Sequence, residues 1–389
     1  MGTDGFVIGA VRSAYVHIPF CVSKCWYCDF NSYCGLQSQY EEYVRALIAE
    51  INSTTPCSDD ALQTVYFGGG TPTVLPEDDL IRVLDTLRER FGILDAAEVT
   101  SEANPGTVSL RGLRMLREGG FNRISLGIQS LDDDFLRSIG RTHTRLQAMT
   151  AYNYAREAGF DNVGVDLIFA LPGQTLLHWA DTLETVIELN PRPEHVSLYE
   201  LSIEEGTRFA ELCAEGKLRE VGEELRLEMY EYAIERLTRA GYEHYEVSNF
   251  ALPGFWSQHN LTYWRNEPYY GFGAGATSYL NGTRSRRVSD PRRYIEAAES
   301  GSDLMEFSET LSPTARLGET IIQGLRMLEG VGLNYIQTQT GLDPRSVYQA
   351  EIESLSRRGL IEVTNDHLRV THAGLLLLND VSQEFAVIS

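Results

Sequence analysis

Three of the six cysteines lie within eight consecutive positions of the sequence, as Cys21, Cys25 and Cys28. Thiolates at this spacing on one loop can converge on a single soft metal centre. A closed tetrahedral zinc site would need a fourth ligand, for which Cys34 and His17 are the nearest candidates. A four-iron cluster held by three cysteines would instead keep one iron open for a chelating ligand. The spacing therefore predicts either a closed zinc site or an open iron–sulfur cluster.

Short apolar, β-branched runs alternate with helical patterns as far as residue 201. The segments between these runs have apolar residues at three- and four-residue spacings, which is typical of helices. Because parallel strands need long and usually helical crossovers, the alternation predicts an α/β fold built as a partial (β/α)6 barrel. The six predicted strands are "AYVHIPF", "TVYFGGG", "EVTSEAN", "RISLGIQ", "NVGVDLIF" and "HVSLYEL".

Residues that could bind a ligand or take part in a reaction follow these strands. In parallel α/β folds the ligand site forms at the carboxyl ends of the strands. The cysteine loop follows the first strand and "GGGTP" the second, while Glu102, Gln129 and Asp166 lie at or near the ends of the next three. Each of these residues alone is more often structural, but a glycine run also lets the backbone approach a polar ligand closely. We therefore expect the strand ends to converge on the cysteines.

The pattern changes after about residue 205, first to a long helix and then to an aromatic, glycine-rich region. From about residue 311, helices precede a hairpin at "LIEVTNDHLRVTHAG", and this order resembles a winged helix. We therefore predict three domains: the barrel with its metal centre at 1–205, an α+β extension at 206–310, and a winged-helix-like tail at 311–389.

The net charge is −22, from 33 basic and 55 acidic residues, which opposes binding to the phosphates of nucleic acids. One basic run, "RSRRVSDPRR" at 284–293, is either a salt-bridged loop or an anion site. No stretch approaches the roughly 18 apolar residues that a membrane span needs. Six unevenly spread cysteines do not suit a secreted disulfide framework. We therefore expect a cytoplasmic protein or one from an organelle interior.

The cysteine loop resembles the signature of the radical S-adenosylmethionine (SAM) superfamily. That resemblance implies a [4Fe–4S] cluster whose open iron binds the amino and carboxylate groups of SAM. Further motifs, among them "FGGGTP", "EANPGT", "NRISLGIQS", "GRTHT", "VDLIFALPGQT" and "YEVSNFALPG", resemble the coproporphyrinogen III oxidase-like branch in order over roughly residues 13–280. The SAM contacts that this resemblance implies are Tyr15, Tyr27, Gly69, Gly70, Thr71, Glu102, Gln129, Arg141, Asp166 and Ser202.

Two groups within this branch are separated by local features. The oxidases are similar but carry a further cysteine two residues after the third ligand, where this chain has Phe30. The segment "HNLTYW" resembles the hallmark of the haem chaperones, which implies that His259 binds haem. An imidazole is a common axial ligand of haem iron. Chaperone-like members often have a histidine where this chain has Thr277, so no haem contact is expected from that loop.

The expected function is therefore that of a haem chaperone, which binds a [4Fe–4S] cluster, SAM and haem and passes haem to acceptor proteins. The alternative is an enzyme, an oxygen-independent coproporphyrinogen III oxidase that carries out radical decarboxylation in porphyrin biosynthesis. The expected partners are haem or a porphyrin and haem-accepting apoproteins, with no nucleic acid and no membrane span. The sequence leaves a homodimer open.

Overall fold

The computed structural model describes residues 10–386, so residues 1 and 389, the outer bounds of the predicted domains, lie outside it. Strands and helices alternate over the first half. The strands there are β1 (Ser13–Ile18), β2 (Phe20–Cys21), β3 (Tyr33–Cys34), β4 (Leu62–Gly69), β5 (Ile93–Ala103), β6 (Arg123–Gln129), β7 (Asn162–Phe169) and β8 (His195–Glu200). The helices are α1 (Tyr40–Ser53), α2 (Glu77–Phe91), α3 (Leu110–Glu118), α4 (Asp133–Ser138), α5 (Arg145–Glu157) and α6 (Leu176–Ile187).

The six predicted strands form one parallel array in the order β1-β4-β5-β6-β7-β8. Each crossover between them contains at least one helix. Local capping fixes where two of these helices begin, since Thr144 and Gln147 form a capping box at α5 and Thr175 and His178 form one at α6. The predicted α/β fold with a central parallel sheet is therefore confirmed.

The alternation of residues along β6 separates the core from the polar face of the sheet. Ile124, Leu126 and Ile128 are fully buried in the main hydrophobic core. Ser125 and Gln129 point to the opposite face, because successive side chains of a strand alternate, and both line a cavity. The apolar face thus holds the helices, and the polar face is left for a ligand.

Three strands after residue 205 extend this sheet, and three others form a separate antiparallel sheet within 277–310. β11 pairs in parallel with β1, while β10 pairs antiparallel with β8 and with β9. The domain boundary predicted at residue 205 therefore divides one continuous sheet. The elements of this segment are α7 (Arg208–Ala214), α8 (Glu223–Arg239), β9 (Glu243–Glu246), β10 (Asn249–Ala251), α9 (Gln258–Trp264), β11 (Tyr270–Phe272), β12 (Thr277–Leu280), β13 (Thr283–Arg287), α10 (Pro291–Ser300) and β14 (Met305–Thr310).

The carboxy-terminal segment has a hydrophobic core of its own, which includes Leu317, Leu368 and Phe385. Its three strands pair antiparallel in the order β15-β17-β16. Within residues 10–386, no helix has the length and apolar character needed to cross a bilayer. The elements are α11 (Pro313–Gly324), β15 (Val331–Gly332), α12 (Leu333–Thr340), α13 (Pro344–Val347), α14 (Gln349–Arg357), β16 (Ile361–Val363), β17 (His367–Val370), α15 (His372–Leu376) and α16 (Leu378–Gln383).

Candidate functional site

The chain between β2 and β3 forms a loop that carries two of the three clustered cysteines. The two strands pair in parallel, with Cys21 opposite Cys34. Across the loop, the Lys24 ammonium donates to the carbonyl oxygens of Phe30 and Ser32, at 2.9 and 3.2 Å. The loop is therefore closed at its base by the strand pair and across its middle by one lysine.

The thiols of Cys21, Cys25 and Cys28 line one cavity of about 470 Å³, which we call the outer cavity. Burial raises the pKa of Cys21 and of Cys28. The hydroxyl of Thr71 lies 3.6 Å from the Cys21 sulfur, and a guanidinium nitrogen of Arg141 lies 3.5 Å from the Cys25 sulfur. A neighbouring cation favours the thiolate, which is the form that binds metals.

The thiols form an open set rather than a closed ligand shell. Over residues 10–386, no group of three or more His, Cys, Asp and Glu side chains is arranged so that it could already hold a metal ion. Cys34, the nearest fourth cysteine, is exposed and is not among the residues that line the outer cavity. The thiols of Cys21, Cys25 and Cys28 thus face the outer cavity, and that of Cys34 does not.

The glycine run after β4 packs directly on the cysteine segment. The Gly70 amide donates to the Ile18 carbonyl oxygen and the Thr71 amide to that of Phe20, both at 2.8 Å. A Cβ on Gly70 would lie only 2.5 Å from the Phe20 oxygen, and Gly69 has a φ of +108°. Only glycine fits these two positions. The amides of Gly70 and Thr71 are thus used to hold the cavity wall together and are not free for a ligand. Side chains must therefore supply most of the polar contacts to a ligand.

Two carboxylates form the opposite wall of the outer cavity. Glu102 accepts a hydrogen bond of 2.8 Å from the Tyr66 hydroxyl, and Asp166 accepts one of 3.2 Å from the Ser125 hydroxyl. Burial raises the pKa of Glu102 to about 7 and also raises the pKa of Asp166. Carboxylates held in this way can accept hydrogen bonds from the hydroxyl or ammonium groups of a ligand.

Gln129 and Arg141 complete the polar lining. Gln129 has a φ of +67°, unusual for a residue other than glycine, and its buried side-chain oxygen has no hydrogen-bond partner. Arg141 is held in place, since it donates to the Asn104 side-chain oxygen and to the Gly127 carbonyl oxygen. Strained backbone and an unsatisfied buried oxygen at one position are typical of ligand sites.

The outer cavity gathers most of the site residues predicted from the sequence, and it leaves out Tyr15 and His259. The residues gathered are Tyr27, Gly69, Gly70, Thr71, Glu102, Gln129, Arg141, Asp166 and Ser202, together with the cysteines Cys21, Cys25 and Cys28.

Two further polar residues of the lining were not predicted from the sequence: Ser125 and Tyr199. Ser125 lies four positions before Gln129 on β6 and therefore on the same face, so the alternation of the strand could have found it. Asn104 follows β5 directly, and Tyr199 is the penultimate residue of β8. Asn104 and Tyr199 obey the rule that the carboxyl ends of parallel strands carry the site, whereas Ser125 is the third of the seven residues of β6.

Tyr15 and His259 line a second cavity of about 300 Å³, which we call the inner cavity. Its walls come from residues that lie earlier on the same strands, such as Tyr66 on β4 and Arg123 on β6. Glu102, Ser125, Asp166 and Tyr199 line both cavities. Tyr15 thus lines the inner cavity and not the outer one, and its contact with SAM stays a prediction.

His259, the expected haem ligand, is held inside the protein, and its contact with haem stays a prediction. The side chain is 1% exposed, and both ring nitrogens are occupied: Nδ1 lies 2.8 Å from the Thr64 hydroxyl and Nε2 lies 2.9 Å from the Tyr263 hydroxyl. Burial lowers the pKa of His259 to about 3, so the ring is neutral. In this arrangement neither nitrogen is free to bind iron.

The basic run at 284–293 is a salt-bridged segment rather than a free anion site. Four of its five arginines pair with carboxylates, and the most buried pair joins Arg287 to Glu50 at 2.5 Å. The three other arginines form more exposed pairs: Arg284 with Glu309 and Glu319, and both Arg286 and Arg293 with Glu306.

Family models match two parts of the chain. The Radical SAM superfamily model matches residues 15–186, and the HemN C-terminal domain model matches residues 311–377. The heme chaperone HemW of Bacillus subtilis is 39% identical over 378 residues, which span 96% of this chain and 99% of that protein. The heme chaperone HemW of Lactococcus lactis is 39% identical over 374 residues, or 96% of this chain and 97% of that protein.

The fold has a solved counterpart. The coproporphyrinogen III oxidase HemN of Escherichia coli, described as a radical SAM enzyme, superposes with a TM-score of 0.84 and is 26% identical. The alignment covers 98% of this chain and 91% of that one. Sequence identity over nearly the full length is thus higher to the chaperones than to the oxidase. The chain belongs to the HemW family of the radical SAM superfamily.

Proposed function

We propose that this protein is a haem chaperone that holds a [4Fe–4S] cluster at Cys21, Cys25 and Cys28 and SAM in the outer cavity. One observation carries the cofactor part of the proposal: three thiols and the polar groups of four strand ends line the same cavity. The chaperone part rests on the two HemW proteins that are 39% identical to this chain over nearly its whole length.

The donor set fits the cluster. Soft thiolates are the ligands that iron–sulfur clusters prefer. Cys25 and Cys28 lie on the loop that Lys24 closes, and Cys21 ends the strand just before it. Arg141 places a cation 3.5 Å from the Cys25 sulfur. When bound, the cluster would supply the electron that cleaves the sulfonium of SAM.

The outer cavity fits SAM in size and in polarity. Its volume of about 470 Å³ lies in the range of small-molecule sites. Glu102 can accept hydrogen bonds from ribose hydroxyls, Asp166 can face the amino group, and Arg141 can face the carboxylate. The unpartnered oxygen of Gln129 is a further acceptor that a ligand would satisfy. These residues bind and orient the ligand in our proposal, and none is assigned to proton transfer.

The haem-binding part of the proposal has no assigned ligand in this chain. His259 keeps both ring nitrogens occupied inside the protein, so we do not assign it to haem iron. The acceptor of haem is proposed to be an apoprotein. A reducing compartment such as the cytosol is also proposed, on the support of six free cysteines.

The alternative function is that of a coproporphyrinogen III oxidase, favoured by the TM-score of 0.84 to the Escherichia coli enzyme. Against it stands Phe30, which is 65% exposed at the rim of the outer cavity. The resemblance implies a cysteine at this position in the oxidases.

Two parallel assays on anaerobically reconstituted protein separate the two functions. Haem titration followed by Soret absorbance should show saturable binding, and incubation with coproporphyrinogen III under reducing conditions should yield no protoporphyrinogen. Turnover without saturable haem binding would establish the oxidase and overturn the chaperone. A second titration with His259→Ala should give the same haem affinity as the wild type.

A further inference from the structure

We propose that His259 and Tyr263 of α9 are positioning residues for the SAM site: they hold Tyr66 in place, and Tyr66 orients Glu102. This inference deepens the proposed function and rests on it, because it takes the outer cavity to be the SAM site. It gives the "HNLTYW" segment a role at the inner cavity, where its histidine actually lies.

The first step is the bond between Tyr66 and Glu102. The Tyr66 hydroxyl donates to Oε1 of Glu102 at 2.8 Å. Glu102 lines both cavities, whereas Tyr66 lines only the inner one. Tyr66 therefore reaches the Glu102 carboxylate from the side of the inner cavity.

The second step is the contact between Tyr66 and His259. The two rings are stacked, with centroids 5.1 Å apart and planes inclined by 21°. Thr64 and Tyr66 lie two residues apart on β4, hence on one face of the strand. His259 bonds the first through Nδ1 and stacks on the second. The imidazole thus spans two neighbouring side chains of the strand that leads into the glycine run.

The third step is what fixes His259 itself. Nε2 is bonded to the Tyr263 hydroxyl at 2.9 Å, one helical turn along α9, and the backbone amide of His259 donates to Glu98 at 3.0 Å. With both nitrogens and the amide occupied, the ring cannot rotate without breaking a buried hydrogen bond. Its orientation is thereby transmitted to Tyr66.

The fourth step is the close packing of Tyr66 and Glu102 against Gly68. A Cβ on Gly68 would lie 2.9 Å from a ring carbon of Tyr66 and 3.1 Å from the carboxyl carbon of Glu102. Both side chains therefore pack against the bare backbone of Gly68. The Tyr66 ring cannot move toward Gly68, but it also lines the inner cavity. Loss of the His259 ring should therefore let Tyr66 shift into that cavity and away from Glu102.

The electrostatics supply a readout that simple loss of folding would not produce. Burial raises the pKa of Glu102 to about 7, while the bond from Tyr66 opposes that rise. The other groups that act on this carboxyl are Asp166, which raises the pKa, and the Gly69 amide and Arg123, which lower it. Losing the Tyr66 bond should raise the pKa further. Protonation of Glu102 would then weaken SAM binding at a higher pH than in the wild type.

The test uses the reconstituted full chain and measures SAM affinity by the change in the cluster's electron paramagnetic resonance spectrum between pH 6 and pH 9. Tyr66→Phe should lose about tenfold in affinity, the size expected for one hydrogen bond to a charged group. Its affinity should also fall off at a higher pH. His259→Ala should lose less, and His259→Gln, which can still bond Thr64 or Tyr263, should recover part of the loss.

Two variants control for the loss of a buried polar group elsewhere. Tyr230→Phe removes a buried hydroxyl that donates to the Val247 carbonyl oxygen, and His244→Ala removes a buried imidazole stacked on Phe250. Both should keep the affinity and pH profile of the wild type. Iron content should remain unchanged in all variants, because none touches the cysteine loop.

The outcomes separate the two levels of the argument. If the wild type itself fails to bind SAM, the proposed function fails and this inference fails with it. If the wild type binds but Tyr66→Phe keeps its affinity and pH profile, the positioning role alone is wrong. If His259→Ala loses haem binding while SAM affinity is unchanged, His259 belongs to the haem site and the positioning role is overturned.

Discussion

The cysteine loop and helix α9 were both singled out by sequence motifs, yet the structure treats their key side chains in opposite ways. The thiols of Cys21, Cys25 and Cys28 line a cavity and have no closed ligand set. His259 has both ring nitrogens bonded inside the protein and is 1% exposed. A motif identifies which residues matter. Whether such a residue is free to bind depends on its neighbours in space.

The largest expected effect tests the openness of the cysteine loop. Cys25→Ala should abolish the cluster, because three thiolates are the minimum that hold it with one iron open. Cys34→Ala should keep the full iron content, since Cys34 is exposed and does not line the outer cavity. Iron and sulfide counting after anaerobic reconstitution checks both. Loss of the cluster in Cys34→Ala would show that Cys34 is a fourth ligand. The cysteine site would then be closed, and it would no longer differ from α9 in this respect.

The next effect concerns the rigid wall behind the thiols. Gly70→Ala should destabilise the apoprotein by about 3 kcal/mol, the upper range for an overpacked core, because the new Cβ meets the Phe20 carbonyl. Gly106→Ala is the matched control, since nothing lies within 4 Å of a Cβ there. Urea unfolding of the cluster-free protein measures both. Equal stability of the two variants would mean that the backbone at Phe20 shifts at little cost to accept the new Cβ.

A third effect tests how much the hydrogen bonds of His259 contribute to stability. His259→Ala should destabilise the apoprotein by about 2 kcal/mol, because it leaves the buried hydroxyls of Thr64 and Tyr263 without their partner. His372→Ala, at a side chain that is mostly exposed, should change the stability little. If the two variants had the same free energy of unfolding, the hydrogen bonds of His259 would contribute little to stability, and its ring would be available to a ligand as the thiols are.

The pH dependence of stability should show a smaller effect of the same residue. Burial lowers the pKa of His259 from its ordinary 6.5 to about 3. The unfolded chain therefore takes up a proton below pH 6.5 that the folded chain does not, and stability is lost as the pH falls toward 3. Between pH 7 and pH 5.5 this residue should account for about 1 kcal/mol of that loss. His259→Ala should flatten the measured curve by this amount, and an unchanged slope would contradict the low pKa.

The smallest effect concerns the lysine across the cysteine loop. Lys24→Met removes two hydrogen bonds to the carbonyl oxygens of Phe30 and Ser32 while leaving every thiol in place. Because these bonds are largely exposed, cluster loss in air should accelerate only about two- to threefold. The rate is followed by absorbance. A much larger acceleration would show that the loop depends on Lys24 rather than on the strand pair at its base.

Much of the fold could be predicted because its determinants are local. The β-branched runs and capping residues of the first 200 positions sufficed to find all six parallel strands. The boundary at residue 205 could not be placed in the same way. β11 has three residues, and its place in the sheet depends on pairing with a strand near the start of the chain. No local pattern encodes that partner.

The candidate site also contains residues that local patterns predict and residues whose role depends on tertiary contacts. Glu102, Gln129 and Asp166 were found because the ends of parallel strands must meet at one edge of the sheet. Tyr66 was missed because its role depends on His259, which lies 193 positions later and reaches it through tertiary packing. The left-handed backbone of Gln129 is also invisible in the sequence, since it arises where the register between β6 and β7 shifts.

The pairing of β1 with β11 has a consequence for the order of assembly. β1 leaves the ribosome before the other strands of residues 10–386, and the partner of Ala14 on its outer edge is Tyr270. Until that residue is made, β1 exposes an unpaired edge, which is prone to wrong pairing with other chains. The cysteine loop begins three residues after β1. Stable loading of iron should therefore wait until β11 has been synthesised, and a chain that ends before it should neither hold its cluster nor stay free of aggregation.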